Sequence, residues 1–356
     1  MYKYTHFIPE NVAPVGTKQI GVYDSNEKRI CGIPLGALTP PTEAKQYSFC
    51  ALSDVHVTQE TANSDFQRAL TFVENSDCEF TCISGDLTIN GYTDEFSIYK
   101  NLVDTYAKTK PVYAITGNHE NYSTVSKDYL QNYTGQPLYY SFTQGNDVFI
   151  MLGHYGGYGG DGIGWKPSEM LSSAEIQWLY ETLEANRNKR CFVFNHALPQ
   201  EHNVGNPCGF YTTAPIWRTQ DGGIGTAFVN LLKHYKNTIL FHGHSHMRFR
   251  LQELDEKANY SAHNGYKSVH ISSLASPRGL FDETTGTATP ATVFAESEGY
   301  IVDVYDDCIV LNGRDFIDND KDGHILPIAT YKIDTTLQTI PANTFTDRTG
   351  TITTNR

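Results

Sequence analysis

From residue 46 to about residue 246, short apolar runs of strand length alternate with amphipathic stretches of helical spacing. The apolar runs are "YSFCALSD", "EFTCISGD", "VYAITGNHE", "RCFVFNH" and "TILFHGHSH". Their length and apolar character fit buried strands. Between the first two, "NSDFQRALTFVEN" places Phe66, Ala69, Leu70 and Val73 at helical spacing. "TDEFSIYKNLVDTYAKT" opens on Thr93, the expected N-cap, with acidic residues in its first turn. "SSAEIQWLYETLEANRN" sets Ser172 three residues before Glu175, the spacing of a capping box, and shows Ile176, Leu179, Tyr180 and Leu183 as an apolar stripe. Strands alternating with helices of this length predict an α/β core.

The flanks read differently. In residues 1–45, "KQIGVYDSNEKRICGIPLG" predicts two short strands around an Asp24-Ser25-Asn26 turn, and "LTPPTEAK" a linker. Beyond residue 246, "YKSVHISS", "GYIVDVYDD", "CIVLNGRDF" and "IATYKID" are strand-like, with a hairpin turn expected at Asp306-Asp307. The last residues are polar and Thr-rich. The expected organisation is a strand-rich N-terminal extension at 1–45, a main domain at 46–335 and a polar C-terminal tail at 336–356. No internal repeat is visible.

Composition narrows the classes. With 39% hydrophobic, 12% aromatic and 19% charged residues, the 356-residue chain is of folded, globular type. Its net charge of -13 argues against general nucleic-acid or anionic-membrane binding, which needs basic surface. A small phosphorylated substrate stays compatible, because bound metal ions make a site locally positive. The seven cysteines are odd in number and several lie in apolar runs, so buried free thiols are expected rather than a disulfide framework. Cys78 and Cys82 have no matching second pair, which argues against a zinc ribbon. "MYKYTHFIPENVAPVG" lacks the apolar core of a signal peptide, and no run approaches the roughly 18 apolar residues of a membrane span, so a cytoplasmic location is expected. No feature of the chain specifies an oligomeric state.

The candidate chemistry sits where the five apolar runs end. There the chain reads Asp54-Val55-His56, Gly85-Asp86, Gly117-Asn118-His119-Glu120, Asn195-His196 and Gly243-His244-Ser245-His246. Side chains separated by one intervening residue on a strand end point to one side, which suits Asp54 with His56 and His244 with His246. Glycine before several of these residues lets the backbone turn tightly beside an ion. Mixed carboxylate, imidazole and amide ligands suit Mn, Fe, Zn or similar ions better than Ca or Mg. Asp86, alone in its motif, is the best candidate to bridge two ions. Two ions about 3.5–4 Å apart can hold a hydroxide and clamp the oxygens of a phosphoryl group.

This arrangement resembles the calcineurin-like metallophosphoesterase family, whose pattern is D-x-H, G-D, G-N-H-[DE], a lone H and G-H-x-H, in that order. All five parts occur, over roughly residues 46–250. The resemblance implies a four-layer α-β-β-α sandwich with two mixed sheets. It implies one ion held by Asp54, His56, Asp86 and His246, and a second by Asp86, Asn118, His196 and His244. It further implies that His119 binds no metal but protonates the leaving oxygen or stabilises the transition state, with Glu120 orienting its ring. One departure matters. Purple acid phosphatases continue the second motif as G-D-x-x-Y, but the fourth position here is Ile89, and Tyr92 is out of register. "GDLT-x-x-G" resembles instead bacterial branches that include phosphodiesterases.

The expected function is a dinuclear metal-dependent phosphoesterase, in which metal-bound hydroxide attacks a small phosphate ester, with diesters preferred. The alternatives are a phosphomonoesterase and a scaffold of the same fold within a larger assembly. Substrate contacts are expected from Asn195, His154, His202 and Arg218; for Asn195 the competing reading is a hydrogen-bonded support for the ligands. His202 and Arg218 lie, with Tyr211 and Trp217, in a long irregular stretch after His196 that is expected to cover the substrate side. The G-x-G-x-x-G at residues 157–162 opens no helix and is read as a loop at the rim. Asp318-Asn319-Asp320-Lys321-Asp322-Gly323 resembles the start of a calcium loop, but Ala329 stands where a bidentate Glu is needed, so a solvated loop is expected.

Overall fold

The central strands are buried on both faces, and this sets the architecture. The computed structural model describes residues 19–23, 29–34, 41, 43–123, 128–154, 171–199, 216–217, 223–249, 259–262, 265–278, 296–317 and 324–354. In chain order the strands are β1 (Gln19–Tyr23), β2 (Arg29–Pro34), β3 (Tyr47–Leu52), β4 (Cys78–Ile83), β5 (Val112–Ala114), β6 (Tyr139–Gln144), β7 (Asp147–Leu152) and β8 (Cys191–Asn195). They continue as β9 (Leu198–Pro199), β10 (Ile216–Trp217), β11 (Thr238–His242), β12 (Tyr260–Ser261), β13 (Lys267–His270), β14 (Glu298–Val304), β15 (Cys308–Asp315) and β16 (His324–Asp334). The α-helices are α1 (Ala62–Glu74), α2 (Thr93–Tyr106), α3 (Asp128–Thr134), α4 (Ser173–Ala185) and α5 (Ile224–His234).

Two six-stranded mixed sheets form the frame. One has the order β16-β15-β14-β3-β4-β5 and the other β12-β13-β11-β8-β7-β6. The strands that lead into the polar motifs run parallel to one another within each sheet: β3 to β4, β4 to β5, and β8 to β11, with β8 also parallel to β7. Every residue of β3, β7, β8 and β11 is buried. Near-continuous apolar runs are what such doubly covered strands require. The expected N-terminal pair forms as the antiparallel β1–β2 hairpin, with β2 beside β16.

Between the sheets lies an aromatic layer. Phe49 and Phe80 from one sheet meet Phe149, Phe192, Phe194 and Phe241 from the other. Phe149 is central: its ring is 5.2 Å from Phe49, 5.1 Å from Phe80 and 4.8 Å from Phe192. Separate clusters hold the helices to the outer faces, α1 and α2 on one sheet and α4 and α5 on the other. At the edge of the aromatic layer, the buried Asp147 carboxylate accepts from Tyr47 Oη at 2.6 Å and from Arg190 at 2.6 Å. Arg190 also donates to Tyr305 O and Thr335 Oγ1, so the charge is paired rather than stranded.

Local signals held with two adjustments. Ser172 caps α4 as expected, accepting from Glu175 N at 3.1 Å. Thr93, however, is the first helical residue of α2 and Tyr92 occupies the cap position. Glu95 reaches back to accept from Tyr92 N and Asn90 N, fastening the chain ahead of the helix to its first turn. The Thr-rich C-terminal segment is not loose: Ile340, Phe345 and Ile352 are buried in the same cluster as the core faces of α4 and α5. The five described free cysteines, Cys50, Cys78, Cys82, Cys191 and Cys308, are all buried. Among the described residues, no helix is long and apolar enough to cross a membrane.

Truncating Phe149 to Ala removes the ring that touches both sheets. We expect a loss of about 3–5 kcal/mol in urea unfolding, with the slope of the transition unchanged. A loss near zero would place the inter-sheet core elsewhere.

Candidate metal centre

The five motifs leave β3, β4, β5, β8 and β11 at their C-terminal ends, so both sheets contribute. Backbone pairing continues past the strands. Asp54 N donates to Gly85 O at 3.1 Å, His56 N to Asp86 O at 3.0 Å, and Gly243 N to His196 O at 3.2 Å. The loops are thus stitched together before any side chain is considered. Asp54, His56, Asp86, His244 and His246 all have φ between 45° and 72°. This left-handed region costs a non-glycine residue energy and persists where the surroundings demand it.

Each aspartate divides its two oxygens. Asp54 Oδ2 accepts from His244 N at 3.0 Å, and Asp86 Oδ1 accepts from His119 N at 2.9 Å. The other oxygens, Asp54 Oδ1 and Asp86 Oδ2, are buried and lack a hydrogen-bond partner, as does Asn118 Oδ1. His246 Nε2 lies 3.0 Å from Asp54 Oδ1. Asp86 Oδ2 has His196 Nε2 at 3.0 Å and His56 Nε2 at 3.7 Å. His244 Nδ1 is 3.2 Å from His196 Nε2.

The outward nitrogens of His196 and His246 are held by neighbours that orient the rings. His196 Nδ1 lies 2.7 Å from Ser84 O, and a carbonyl only accepts, so Nδ1 carries the proton and Nε2 turns inward. His246 Nδ1 is 2.8 Å from Ser276 Oγ. Asn118 Nδ2 donates to Tyr122 Oη at 2.8 Å, which leaves Oδ1 facing the centre. Imidazole nitrogens and bare carboxylate oxygens that converge in a buried space form a donor set for cations. Two groups of such atoms could each hold an ion: Asp54, His56, Asp86 and His246, and Asp86, His196 and His244. Asp86 belongs to both; Asn118 Oδ1 is a further buried oxygen without a hydrogen-bond partner.

Electrostatics agree with that donor set. Burial alone would raise the Asp54 and Asp86 carboxyls, but the surrounding histidines hold both well below the usual range. Burial would lower His196, yet Asp86, Asp54 and the Ser84 carbonyl push it up to about 9. Burial and neighbouring histidines keep His56 down, at about 4, despite its acidic neighbours, and keep His244 well below the ordinary imidazole value.

Two of the glycines press directly on the aspartates. A Cβ on Gly117 would run into Asp86 Oδ1 and the Asp86 amide, and one on Gly243 would run into Ser53 Oγ and Asp54 Oδ2.

His119 stands apart from these groups. Its side chain is 25% exposed, whereas those of Asp54, His56, Asp86, His196 and His246 are at most 8% exposed. Its Nε2 is 3.9 Å from Asp86 Oδ2, and its Nδ1 donates to Ile89 O at 2.6 Å. Glu120 does not orient this ring, contrary to the expectation from the resemblance. Its carboxylate accepts from Asp86 N, Thr88 N, Thr88 Oγ1 and Gly117 N, tying the second loop to the third. Burial and the Asp86 charge push its carboxyl up to about 7, against the pull of those bonds.

The expected substrate contacts separate. Asn195 is fully buried and its Nδ2 donates to Leu152 O at 3.1 Å, so it braces β8 against β7 instead of facing a substrate. His154 is also fully buried, 5.5 Å from the His196 ring, with neither ring nitrogen hydrogen-bonded. Burial lowers it to about 3. His202, Tyr211, Arg218, the 157–162 glycine run and the 318–323 acidic run lie outside the described residues. Sequence reasoning missed Ser276, the Ile89 carbonyl and Tyr122. Only Ser276 had a signal, the Ser-rich "HISSLASP" after a strand.

The fold and this double ligand cluster define a two-sheet α/β protein whose buried donor groups are consistent with a dinuclear metal site. The calcineurin-like phosphoesterase family model matches residues 47–248, more than half of the chain, and the chain belongs to that family. No curated protein matches the sequence. Among solved structures it is similar to purple acid phosphatase PPD1 from yellow lupin (Lupinus luteus) seeds, with 14% identity and a TM-score of 0.55. That match covers 89% of this chain but only 59% of the lupin chain, so this chain spans less than two thirds of that enzyme. It is also similar to GAP50, the anchor in the inner membrane complex of Plasmodium, with 14% identity, a TM-score of 0.52 and coverage of 87% of this chain and 92% of that one.

Gly117→Ala should push Asp86 from its place. We expect metal content measured by elemental analysis to fall well below wild type, with the far-ultraviolet circular dichroism retained; unchanged content would show that the loop yields. Because a proton on His196 competes for Nε2, metal affinity should rise as pH increases toward 9, with protons released on binding. Calorimetry in buffers of different ionisation enthalpy measures that release, and a pH-independent affinity would contradict it.

Proposed function

We propose that this chain is a metal-dependent phosphoesterase acting on small phosphate esters, with diesters as the preferred class. The observation that carries the reading is Asp86 Oδ2, a bare buried oxygen common to both ligand groups, with the ring of His119 opening to solvent beside it. Bound divalent ions, of the Mn, Fe or Zn kind, supply Lewis acidity toward phosphoryl oxygens and lower the pKa of water.

The chain's own residues would do the rest. Asp54, His56, Asp86 and His246 form one ligand group, and Asp86, Asn118, His196 and His244 the other. The Ile89 carbonyl keeps a proton on His119 Nδ1 and directs Nε2 into the site. A protonated His119 can then pass its Nε2 proton to the departing alkoxide and relax to the neutral Nδ1–H form without moving. An alkoxide leaves poorly without such a proton. Glu120 acts through Asp86 and Gly117 by fixing the loops. The "GDLTINGY" continuation, similar to phosphodiesterase branches, supports diesters over monoesters. The GAP50 likeness is one of fold, and the intact ligand set weighs against a purely structural role.

Asp86→Ala should abolish turnover of bis-p-nitrophenyl phosphate and metal binding together. His119→Ala should keep its metal and lose about 10²- to 10⁴-fold in kcat, most for alkyl leaving groups. Normal turnover of an alkyl ester by His119→Ala would remove the proton-donor role. A metal-free, inactive wild type with Mn added would favour the scaffold reading.

A further inference from the structure

Three large hydrophobic side chains are exposed among the described residues, and two of them belong to the turns around His119. They are Tyr122, 41% exposed, and Tyr92, 51% exposed. The Tyr122 ring centroid is 4.4 Å from that of His119, tilted by 43°. Its hydroxyl is fixed by Asn118 Nδ2, and its amide bonds His119 O at 3.2 Å. The ring is therefore immobilised on the metal-ligand loop while a large part of its surface stays in water. That exposure is not forced by the fold, since burial of such a ring is the favourable direction.

Tyr92 follows a segment that is held against the same turn. His119 Nδ1 is held by Ile89 O, and the chain runs from there through Gly91, whose carbonyl accepts from Ser123 Oγ at 2.7 Å. A Cβ on Gly91 would run into the Glu120 carbonyl, so the 89–92 segment is clamped against the 119–123 turn. Tyr92 follows at the start of α2. Ile89, which excludes a tyrosine ligand at this position of the motif, thus ends up supporting the open face of His119.

We propose that Tyr122, with Tyr92 beyond it, forms an aromatic platform on the leaving-group side, so that the preferred ester carries a flat aromatic ring on the alcohol released next to His119. This rests on the phosphoesterase reading for its chemistry, but the platform can be measured without turnover. A ring held at a fixed angle beside the proton donor selects a planar group by stacking and edge contact, worth about 0.5–1.5 kcal/mol or about 2- to 12-fold in affinity. The ring can belong to an aryl group or to a nucleobase.

The test is calorimetric binding of four ligands to the Mn-supplemented full chain: phenylphosphonate against methylphosphonate, and adenosine monophosphate against ribose 5-phosphate. Wild type should bind the ring-bearing member at least about threefold more tightly in one pair, which also identifies the source of the ring. Tyr122→Ala should abolish that ratio. Tyr122→Phe, which keeps the ring and loses the hydroxyl that Asn118 bonds, should retain it. Metal content, measured for each variant, separates ring loss from metal loss. No ring preference in either pair, no binding of any of the four ligands, or a ratio unchanged in Tyr122→Ala, overturns the platform. Turnover of bis-p-nitrophenyl phosphate by the same wild-type sample judges the esterase reading separately. An inactive protein with a ring preference keeps the platform and loses the esterase, and an active one without it does the reverse.

Discussion

The carboxylate of Asp86 is the point on which the site depends. Its Oδ1 takes the His119 amide, its backbone amide goes to Glu120, and its carbonyl takes the His56 amide. What remains is Oδ2, buried, facing His196, His56 and His119. Burying a carboxylate without full compensation costs several kcal/mol, and Asp54 adds a second one nearby. The fold tolerates this because the loops are paired through their backbones and the sheets are locked by the aromatic layer between them. Ligands drawn from both sheets keep their separation only if that layer keeps its thickness. Stability and site geometry are therefore coupled through Phe49, Phe149 and Phe241 rather than through the ligands themselves.

What could be read from the sequence follows a simple division. Asp54, His56, Asp86, Asn118, His196, His244 and His246 each sit within a few residues of a strand end, so strand pattern and residue type together announced them. The individual strands were legible for the same reason, since doubly buried strands leave continuous apolar runs; their division into two sheets was implied only by the family resemblance. Features that depend on contacts between distant segments were not legible. Nothing near Ile89 says that its carbonyl orients His119, and nothing in Ser276 says that it steadies His246. Glu120 was assigned to its sequence neighbour, but four donors from two loops capture its carboxylate first. His154, expected as a substrate contact, is buried against His196.

Errors of boundary have equally physical causes. Thr93 looked like a cap because its hydroxyl is the usual acceptor, yet it is already helical, and it is Glu95 that ties down the amides of Asn90 and Tyr92 just ahead of the helix. The C-terminal segment looked polar because its three anchors, Ile340, Phe345 and Ile352, are irregularly spaced among threonines. A chain that lies on a helical layer without forming an element of its own shows no period to detect.

The strain at the ligands bears on what the site is for. Asp54, His56, Asp86, His244 and His246 account for five of the eight non-glycine residues with positive φ among the described residues. Such conformations cost of order 1–3 kcal/mol each and survive only where the surroundings compensate them. A surface used for docking needs no left-handed aspartates, no bare carboxylate oxygens and no glycines pressed against them. Those features are costs to folding, concentrated at one point, that make sense when a cation is bound there. The backbone pairs from Asp54 to Gly85 and from His56 to Asp86 hold the strained residues in place ahead of that binding, so the donor set is shaped by the fold rather than by the ion.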